Sequence, residues 1–365
     1  MMIVIIRLLV YLATLLGSAT MPSPLKFIPA NHPFIQYSGR WDVSDTLHRK
    51  HSWPGAYLRA SFSGTSIGIR MKDNLNYYNV YIDGTLYKIF RGTSPDEAEY
   101  TLAEGLDSSA HALLLSKRNF MFDAVFSVSG LLIEEGASLL PPPPRPERRI
   151  EFVGDSFTAA EGNEATMQDV AWEDRFPLTN IDRGFAPIVA RHFDAEYHTT
   201  CRSGSGMVCN WEGNPEITIP KIFNRTLMEA PEPKWDFRQW KPDLIVICLG
   251  LNDHSGLRDS NGNISEEKSS FFRRGYTEFI SRLRTLYPGV RLLAVAAHPE
   301  WVRTNVHQVV QEELLHGMKD VAYTTFDEVP GGYVANNHPT VATHEKIAEQ
   351  IIAAIEREKI FPVMK

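Results

Sequence analysis

The 365-residue sequence predicts two domains of different class: an all-β sandwich over residues 25–137, then an α/β domain with a parallel sheet and flanking helices over residues 150–365. Three observations lead there. The stretch SLLPPPPRPERR, residues 138–149, reads as a linker, because consecutive prolines hold an extended chain that continues neither a helix nor a central strand. Before it, apolar and polar residues alternate between turn signals, the period of a half-buried strand. After it, short runs apolar on both faces alternate with helical patterns, as in a doubly wound parallel sheet.

The chain opens on MMIVIIRLLVYLATLLGSAT, with one basic residue, Arg7, an apolar run to Leu16, and small residues at Gly17, Ser18 and Ala19. That order describes a secretory signal peptide over residues 1–19 and predicts a secreted, extracellular protein. A signal anchor is the alternative, but the apolar run is short against the ~20 residues of a membrane span. No later segment is apolar enough to cross a bilayer, so no membrane partner is expected. The sequons Asn224-Arg-Thr226 and Asn263-Ile-Ser265 fit a eukaryotic secretory route and add little, since such triplets arise by chance.

In the first domain, Ile67, Ile69 and Met71 alternate with Ser66, Gly68 and Arg70. In NVYIDGTLYKIF, Asp83-Gly84 separates two strand-like runs, a strong hairpin signal. Leu113 to Leu115 and FDAVFSVSG continue the texture. In the second domain RIEFV is a strand and RGFAPIVARHF a helix. DLIVICLG and VRLLAVAAH are buried strands. Phe272, Tyr276, Phe279, Ile280 and Leu283 recur at helical spacing until Pro288-Gly289 stops them, and HEKIAEQIIAAIEREK is a terminal helix with Ile347, Ile351 and Ile355 on one stripe.

Composition narrows the function. The net charge is −7 with the signs well mixed, so nothing points to a nucleic-acid partner. There is no HExxH, no CxxC and no zinc-like Cys/His spacing, so no metal and no organic cofactor is expected. Of the three cysteines, Cys248 sits in a strand; Cys201 and Cys209 flank a glycine-rich loop, and their pairing stays open. Oligomeric state is not encoded in any pattern.

In such a sheet ligands sit at the carboxyl ends of the strands. Ser156 follows the first apolar run, Asn252 and Asp253 follow the second, His298 the third, and His338 precedes the last helix. Acyl transfer needs this set: a nucleophilic hydroxyl, an imidazole to take its proton, and donors for the oxyanion. A Ser that opens a helix also has backbone N–H groups beside it. Each residue has a plainer reading: Ser156 as a helix cap, Asn252-Asp253 as a turn, Asp155 as a structural acceptor.

Read together, GDSFT at 154–158, RSGSGM at 202–207, GLND at 250–253 and NNHP at 336–339 resemble the four blocks of the SGNH (GDSL-type) hydrolases, in order. The resemblance implies a flavodoxin-like fold, Ser156 as nucleophile, His338 rather than His298 as general base, and an oxyanion hole from Asn252 and the N–H groups of Ser156 and Gly204, with Gly206 as the alternative donor. YSGRWD at 37–42, SWPGAYLRASFSGTSIGIRM at 52–71 and NVYIDG at 79–84 resemble the jelly-roll domain of carbohydrate esterase family 2. That resemblance covers nearly the whole mature chain. It implies a serine esterase that removes O-acetyl groups from plant-wall polysaccharides such as xylan or glucomannan.

One departure stands out. The family pattern has an Asp three residues before the catalytic His, and here that residue is Ala335. A triad Asp orients the imidazole and stabilises the imidazolium. The resemblance allows a Ser–His dyad with a backbone carbonyl holding the imidazole; a remote carboxylate such as Asp327 is the other candidate. Trp172, Trp211 and Tyr333 lie on polar, Gly- or Pro-flanked segments and are candidates for stacking a sugar ring, or ordinary packing. His344 reads as a capping or packing residue. The rival functions are an SGNH esterase or lipase acting on other short-chain or lipid esters, and a glycan-binding relative that has lost catalysis.

Overall fold

The computed structural model describes residues 25–361, and the predicted signal segment, residues 1–19, lies outside them. Among the described residues no helix is long and apolar enough to cross a membrane.

The first domain contains β1 (Leu25–Pro29), β2 (Gln36–Ser38), β3 (Arg49–His51), β4 (Tyr57–Ser63), β5 (Ile67–Asp73), β6 (Tyr77–Ile82), β7 (Thr85–Arg91), β8 (Ser94–Ala103), β9 (Ala110–Lys117), β10 (Phe126–Glu134) and β11 (Leu139–Leu140). They form two antiparallel sheets, one ordered β1-β10-β5-β8 with β3 on β10, the other β11-β4-β9-β6-β7 with β2 on β4. Alternation decides which side chains meet between the sheets: Ile67, Ile69 and Met71 of β5 are buried against Leu58, Ala60 and Phe62 of β4. The β6–β7 hairpin turns at Asp83 (φ 52°) and Gly84 (φ 78°), two successive left-handed residues, the geometry that the Asp-Gly signal specifies.

The linker is shorter than the sequence suggests. Leu139 and Leu140 pair with Phe62 and Ser61 in the sandwich, and Arg148 and Arg149 already pair with Ala195 and Glu196 in the second domain. Only residues 141–147, which carry the prolines, stay outside both ladders, because a proline has no N–H to give a sheet.

The second domain runs β12 (Arg148–Gly154), α1 (Trp172–Arg175), α2 (Phe185–His192), β13 (Ala195–Cys201), α3 (Ile219–Ile222), β14 (Leu244–Cys248), α4 (Leu251–Gly256), α5 (Glu266–Leu286), β15 (Arg291–Ala296), α6 (Glu300–Leu315), β16 (Val321–Thr325), β17 (Tyr333–Val334), β18 (His338–Pro339) and α7 (Val341–Arg357). Its parallel sheet is ordered β13-β12-β14-β15-β16. The chain leaves β12 for β13 on one side and returns to β14 on the other, so the connections diverge above β12 and open a crevice at the carboxyl edge. Leu244 to Ile247 of β14 are at most 1% exposed; each such side chain stabilises the fold by about 2 kcal/mol through the water it sheds.

The two domains share buried polar contacts. Arg40 of the sandwich ion-pairs with Glu151 inside β12 at 2.7 Å, both fully buried. Trp53 joins the core of the α/β domain, its indole N–H donating to the Thr226 carbonyl at 3.0 Å. The sandwich is therefore a structural partner of the sheet, and removing either half of the Arg40–Glu151 pair strands a buried charge.

Cys201, Cys209 and Cys248 are all buried free thiols. The pairing left open for Cys201 and Cys209 is not made. Cys201 packs at the end of β13 with Phe120, Ala159 and Phe176, whereas Cys209 belongs to the larger core with Met207 and Ile219.

Candidate active site

Ser156 stands two residues past β12, 8% exposed. The expected helix after it does not form. Residues 157–163 are successive turns, tied by Ala159 N–H to the Asp155 carbonyl at 3.0 Å and Glu161 N–H to the Ser156 carbonyl at 3.0 Å. Ala160 (φ 54°) and Gly162 (φ 62°) are left-handed, which interrupts any helical run. Ser156 is thus neither a helix cap nor backed by a helix N-terminus.

Asp155 lies fully buried beneath it. Its Oδ1 accepts the Phe157 N–H at 3.0 Å and its Oδ2 accepts from Asn252 Nδ2 at 3.2 Å. Burial pushes this carboxyl up to about 7, against the lowering effect of the Phe157 N–H. Its role is structural: it aims Asn252. The same amide donates to the Ser205 carbonyl at 3.1 Å, so both of its hydrogens are engaged and one bond has to be shared or released for Asn252 to serve an oxyanion.

The loop after β13 brings Gly204 to the same place with φ 77°, a conformation that favours glycine. Asp253, fully buried, fastens this loop by accepting the N–H groups of Met207 (2.8 Å), Val208 (2.7 Å) and Cys209 (3.1 Å). Desolvation raises its carboxyl to about 6 in spite of those three donors. Gly206 packs against that carboxylate rather than into the cleft: a Cβ there would lie 2.4 Å from Asp253 Oδ2. Of the two glycines, Gly204 is the one that lines the cleft. Among the described residues, the N–H groups of Ser156 and Gly204 donate to no protein acceptor.

His338 opens β18, which pairs with β17 across a turn of three left-handed residues, Ala335 (φ 42°), Asn336 (φ 62°) and Asn337 (φ 65°). Backbone bonds hold that turn: Ala335 N–H to the Met167 carbonyl at 2.8 Å and Asn336 N–H to the Gln168 carbonyl at 2.7 Å. The Ala335 carbonyl comes to 2.7 Å from His338 Nδ1. A carbonyl only accepts, so Nδ1 carries a hydrogen, and in the neutral ring the lone pair is then on Nε2. Asp327 does not take this position; it is exposed, and its contact is its own N–H to Gln350 Oε1 at 3.1 Å.

Two lobes of one cleft meet at Ser156, Asn252, Asn336 and His338. The first, about 430 Å³, is walled by Phe157, Tyr333, His254, His298 and Glu328. The second, about 600 Å³, is walled by Phe122, Trp172, Trp211, Arg202 and Glu161. Trp172 and Trp211 therefore share a lobe, and Tyr333 stands in the other. His298 is half exposed at the rim, 3.8 Å from Glu328. His254 is pushed down to about 4 by burial and by Arg258 and His298. His344 is a packing residue, held neutral to about 3 by burial, with Nδ1 accepting the Phe185 N–H at 3.3 Å.

Among the lining residues that the sequence reading did not mark are Phe122 and Glu161. Phe122 comes from the sandwich, on the loop between β9 and β10, and stacks on Trp172 with ring centroids 5.6 Å apart. No strand end points to it. Glu161, 1% exposed, ion-pairs with Arg175 at 2.8 Å and accepts from Ser203 Oγ, and its Oε2 lies 3.5 Å from His338 Nε2. A charged residue amid small ones in TAAEGN was a usable signal.

Residues 37–143 match the carbohydrate esterase 2 N-terminal family and residues 150–351 the GDSL-like lipase/acylhydrolase family. Cellulase/esterase CelE of Acetivibrio thermocellus is 30% identical over 338 residues, which span 90% of this chain and 40% of that protein's length. An acetylxylan esterase / glucomannan deacetylase of Cellvibrio japonicus is 28% identical over 277 residues, 75% of this chain and 74% of that one. A family two carbohydrate esterase from Clostridium thermocellum, solved with cellohexaose, superposes with a TM-score of 0.80 at 29% identity, covering 89% of this chain and 98% of that one. With a carbohydrate esterase 2 N-terminal domain in front and a hydrolase domain spanning residues 150–351, more than half of its length, the chain belongs to the GDSL-like lipase/acylhydrolase family.

Proposed function

We propose that this protein is a secreted carbohydrate esterase that removes O-acetyl groups from plant-wall polysaccharides of the xylan or glucomannan type, through a Ser156–His338 dyad. The observation that carries the reading is the Ala335 carbonyl 2.7 Å from His338 Nδ1, which leaves the Nε2 lone pair for the cleft that Ser156 also lines.

In this reading Nε2 takes the Ser156 hydroxyl proton as Oγ bonds to the acetyl carbonyl carbon and the carbonyl electrons move onto oxygen. The oxyanion accepts the unspent N–H groups of Ser156 and Gly204, with Asn252 as third donor. When the tetrahedral centre collapses, the C–O bond to the sugar breaks and Nε2–H protonates the departing oxygen. Water, deprotonated by the same nitrogen, then releases acetate and restores Ser156. The polysaccharide lies along the aromatic lobe, beside the exposed Trp211 and beside Trp172, one face of which is stacked on Phe122.

The test is acetate release from acetylated xylan and acetylated glucomannan by the wild type and Ser156→Ala. Release by the wild type alone, with acetyl strongly preferred over octanoyl esters, supports the reading. Turnover by Ser156→Ala sinks the mechanism. A folded wild type that binds these glycans and releases nothing would favour the non-catalytic relative.

A further inference from the structure

We propose that Glu161 is the carboxylate partner of His338, a positioning residue that faces the imidazole from the Nε2 side and supplies the counter-charge that position 335 lacks. The inference rests on the Ser156–His338 reading and deepens it. The Ala335 carbonyl orients the ring at Nδ1 but carries no charge, so nothing on that side balances the imidazolium that forms when Ser156 gives up its proton. Glu161 Oε2 lies 3.5 Å from Nε2. At that distance, with both groups largely withdrawn from water, an anion favours the protonated ring far more than a surface carboxylate does.

The setting keeps this carboxylate in place. Its Oε1 is fixed by Arg175 at 2.8 Å, and its Oε2 accepts from Ser203, the residue before Gly204. Once Nε2 takes the proton, one side chain ties the imidazolium to the loop that carries an oxyanion donor, so base and donor keep their spacing as charge develops. Arg175 removes part of the negative charge, and its loss would free it. A purely structural Glu161 would need only Arg175 and Ser203; the approach to Nε2 is the feature that such a role leaves unexplained.

Other groups face the ring too. Arg175 stands behind Glu161, Asp155 lies beneath Ser156, His344 approaches from α7, and His254, His298 and Glu328 stand across the first lobe. All of them are identical in the proteins compared below, so a difference between those proteins belongs to the substituted residue.

The experiment is an NMR titration of the His338 ring, run in a Ser156→Ala background with and without Glu161→Gln, beside kcat/KM–pH profiles of Glu161→Gln alone. Gln keeps an acceptor for Arg175 and removes the charge. The ring midpoint is expected to fall when the charge is removed. The acid limb of kcat/KM should move with it, and the plateau should drop on the order of tenfold on both 4-nitrophenyl acetate and an acetylated oligosaccharide. An unmoved midpoint overturns the proposal. So does a loss confined to the oligosaccharide, which would make Glu161 a sugar contact. If Glu161→Gln does not fold, Ser203→Ala in the same background decides: releasing Oε2 from the hydroxyl should raise the midpoint, and no rise overturns the proposal. The titration needs no turnover, so a wild type inert on every ester would defeat the proposed function without settling the titration.

Discussion

The Ala335 carbonyl oxygen lies 2.7 Å from His338 Nδ1 while the Ala335 side chain points the other way, into a cluster with Ala165, Val170 and Val334. Its Cβ is so close to Gly162 that a Cβ added there would lie 2.5 Å away. Ala335 is therefore oriented so that only its backbone reaches the imidazole. Ala335→Asp is expected to bury a carboxylate among apolar groups rather than rebuild a triad. It should cost about 3 kcal/mol of stability in urea unfolding and bring no gain in kcat/KM. A more active and equally stable variant would show that the turn can reorganise.

Gly206→Ala is expected to disable the protein through Asp253. The new methyl would meet Asp253 Oδ2 at 2.4 Å, and that carboxylate holds three N–H groups of the loop carrying Gly204. A displaced loop carries its oxyanion donor away, so kcat should fall on the order of a hundredfold with KM little changed. Steady-state kinetics on an aryl acetate checks this, and a mild rise in KM alone would contradict it.

That Ser156 and Asn252 would share a cleft with His338 was legible because the first two follow strands whose apolar runs are local in sequence and His338 precedes the last helix. Gly204 follows β13, AEYHTTC, which shows no apolar run, and was indicated only by the family resemblance. What lies within a loop was less legible. The turns after Ser156 read as a helix start, yet Ala160 adopts a left-handed conformation that nothing in its neighbourhood announces. Leu139 and Leu140 looked like linker because the prolines beside them dominate the window, although strand pairing needs only their own N–H groups. Phe122 belongs to the cleft only through the docking of two domains, a relation that no single window contains.

That docking gives a prediction for Phe122→Ala. The ring stacks on Trp172 and lies under the Arg202 guanidinium, 4.2 Å from its centre, so it braces one wall of the aromatic lobe. Removing it should raise KM for acetylated polysaccharide about five- to tenfold, the worth of roughly 1 kcal/mol of aromatic contact. Turnover of 4-nitrophenyl acetate, which does not fill the lobe, should stay within about twofold of wild type. Equal losses on both substrates would assign the ring to stability instead.

Titration of denatured protein with a thiol reagent, without reductant, should count three reactive groups for Cys201, Cys209 and Cys248. In the native state all three should react slowly, since burial pushes each thiol up, away from the thiolate form. A count of one would mean that Cys201 and Cys209 pair after all and that their two separate clusters can approach each other.

The buried acids beneath the cleft set an unusual stability profile. Burial raises Asp155 to about 7 and Asp253 to about 6, whereas in the unfolded chain both titrate near the ordinary carboxylate value of 3.8. Between those limits the folded state holds more protons than the unfolded one, so stability rises as the pH falls. The contribution is fully present below about pH 4 and is lost as the pH climbs through 6 to 7. Ordinary surface carboxylates, such as Asp236 held down to about 2 by Arg238, act in the opposite direction and at lower pH. Urea midpoints measured from pH 5 to pH 7.5 should therefore decline with pH in the wild type. The decline should be shallower in Asp155→Asn, whose amide keeps the Phe157 N–H bond through its oxygen but cannot ionise. If both proteins give the same slope, Asp155 is ionised in the folded state throughout, and its bond to Asn252 Nδ2 outweighs the cost of burial.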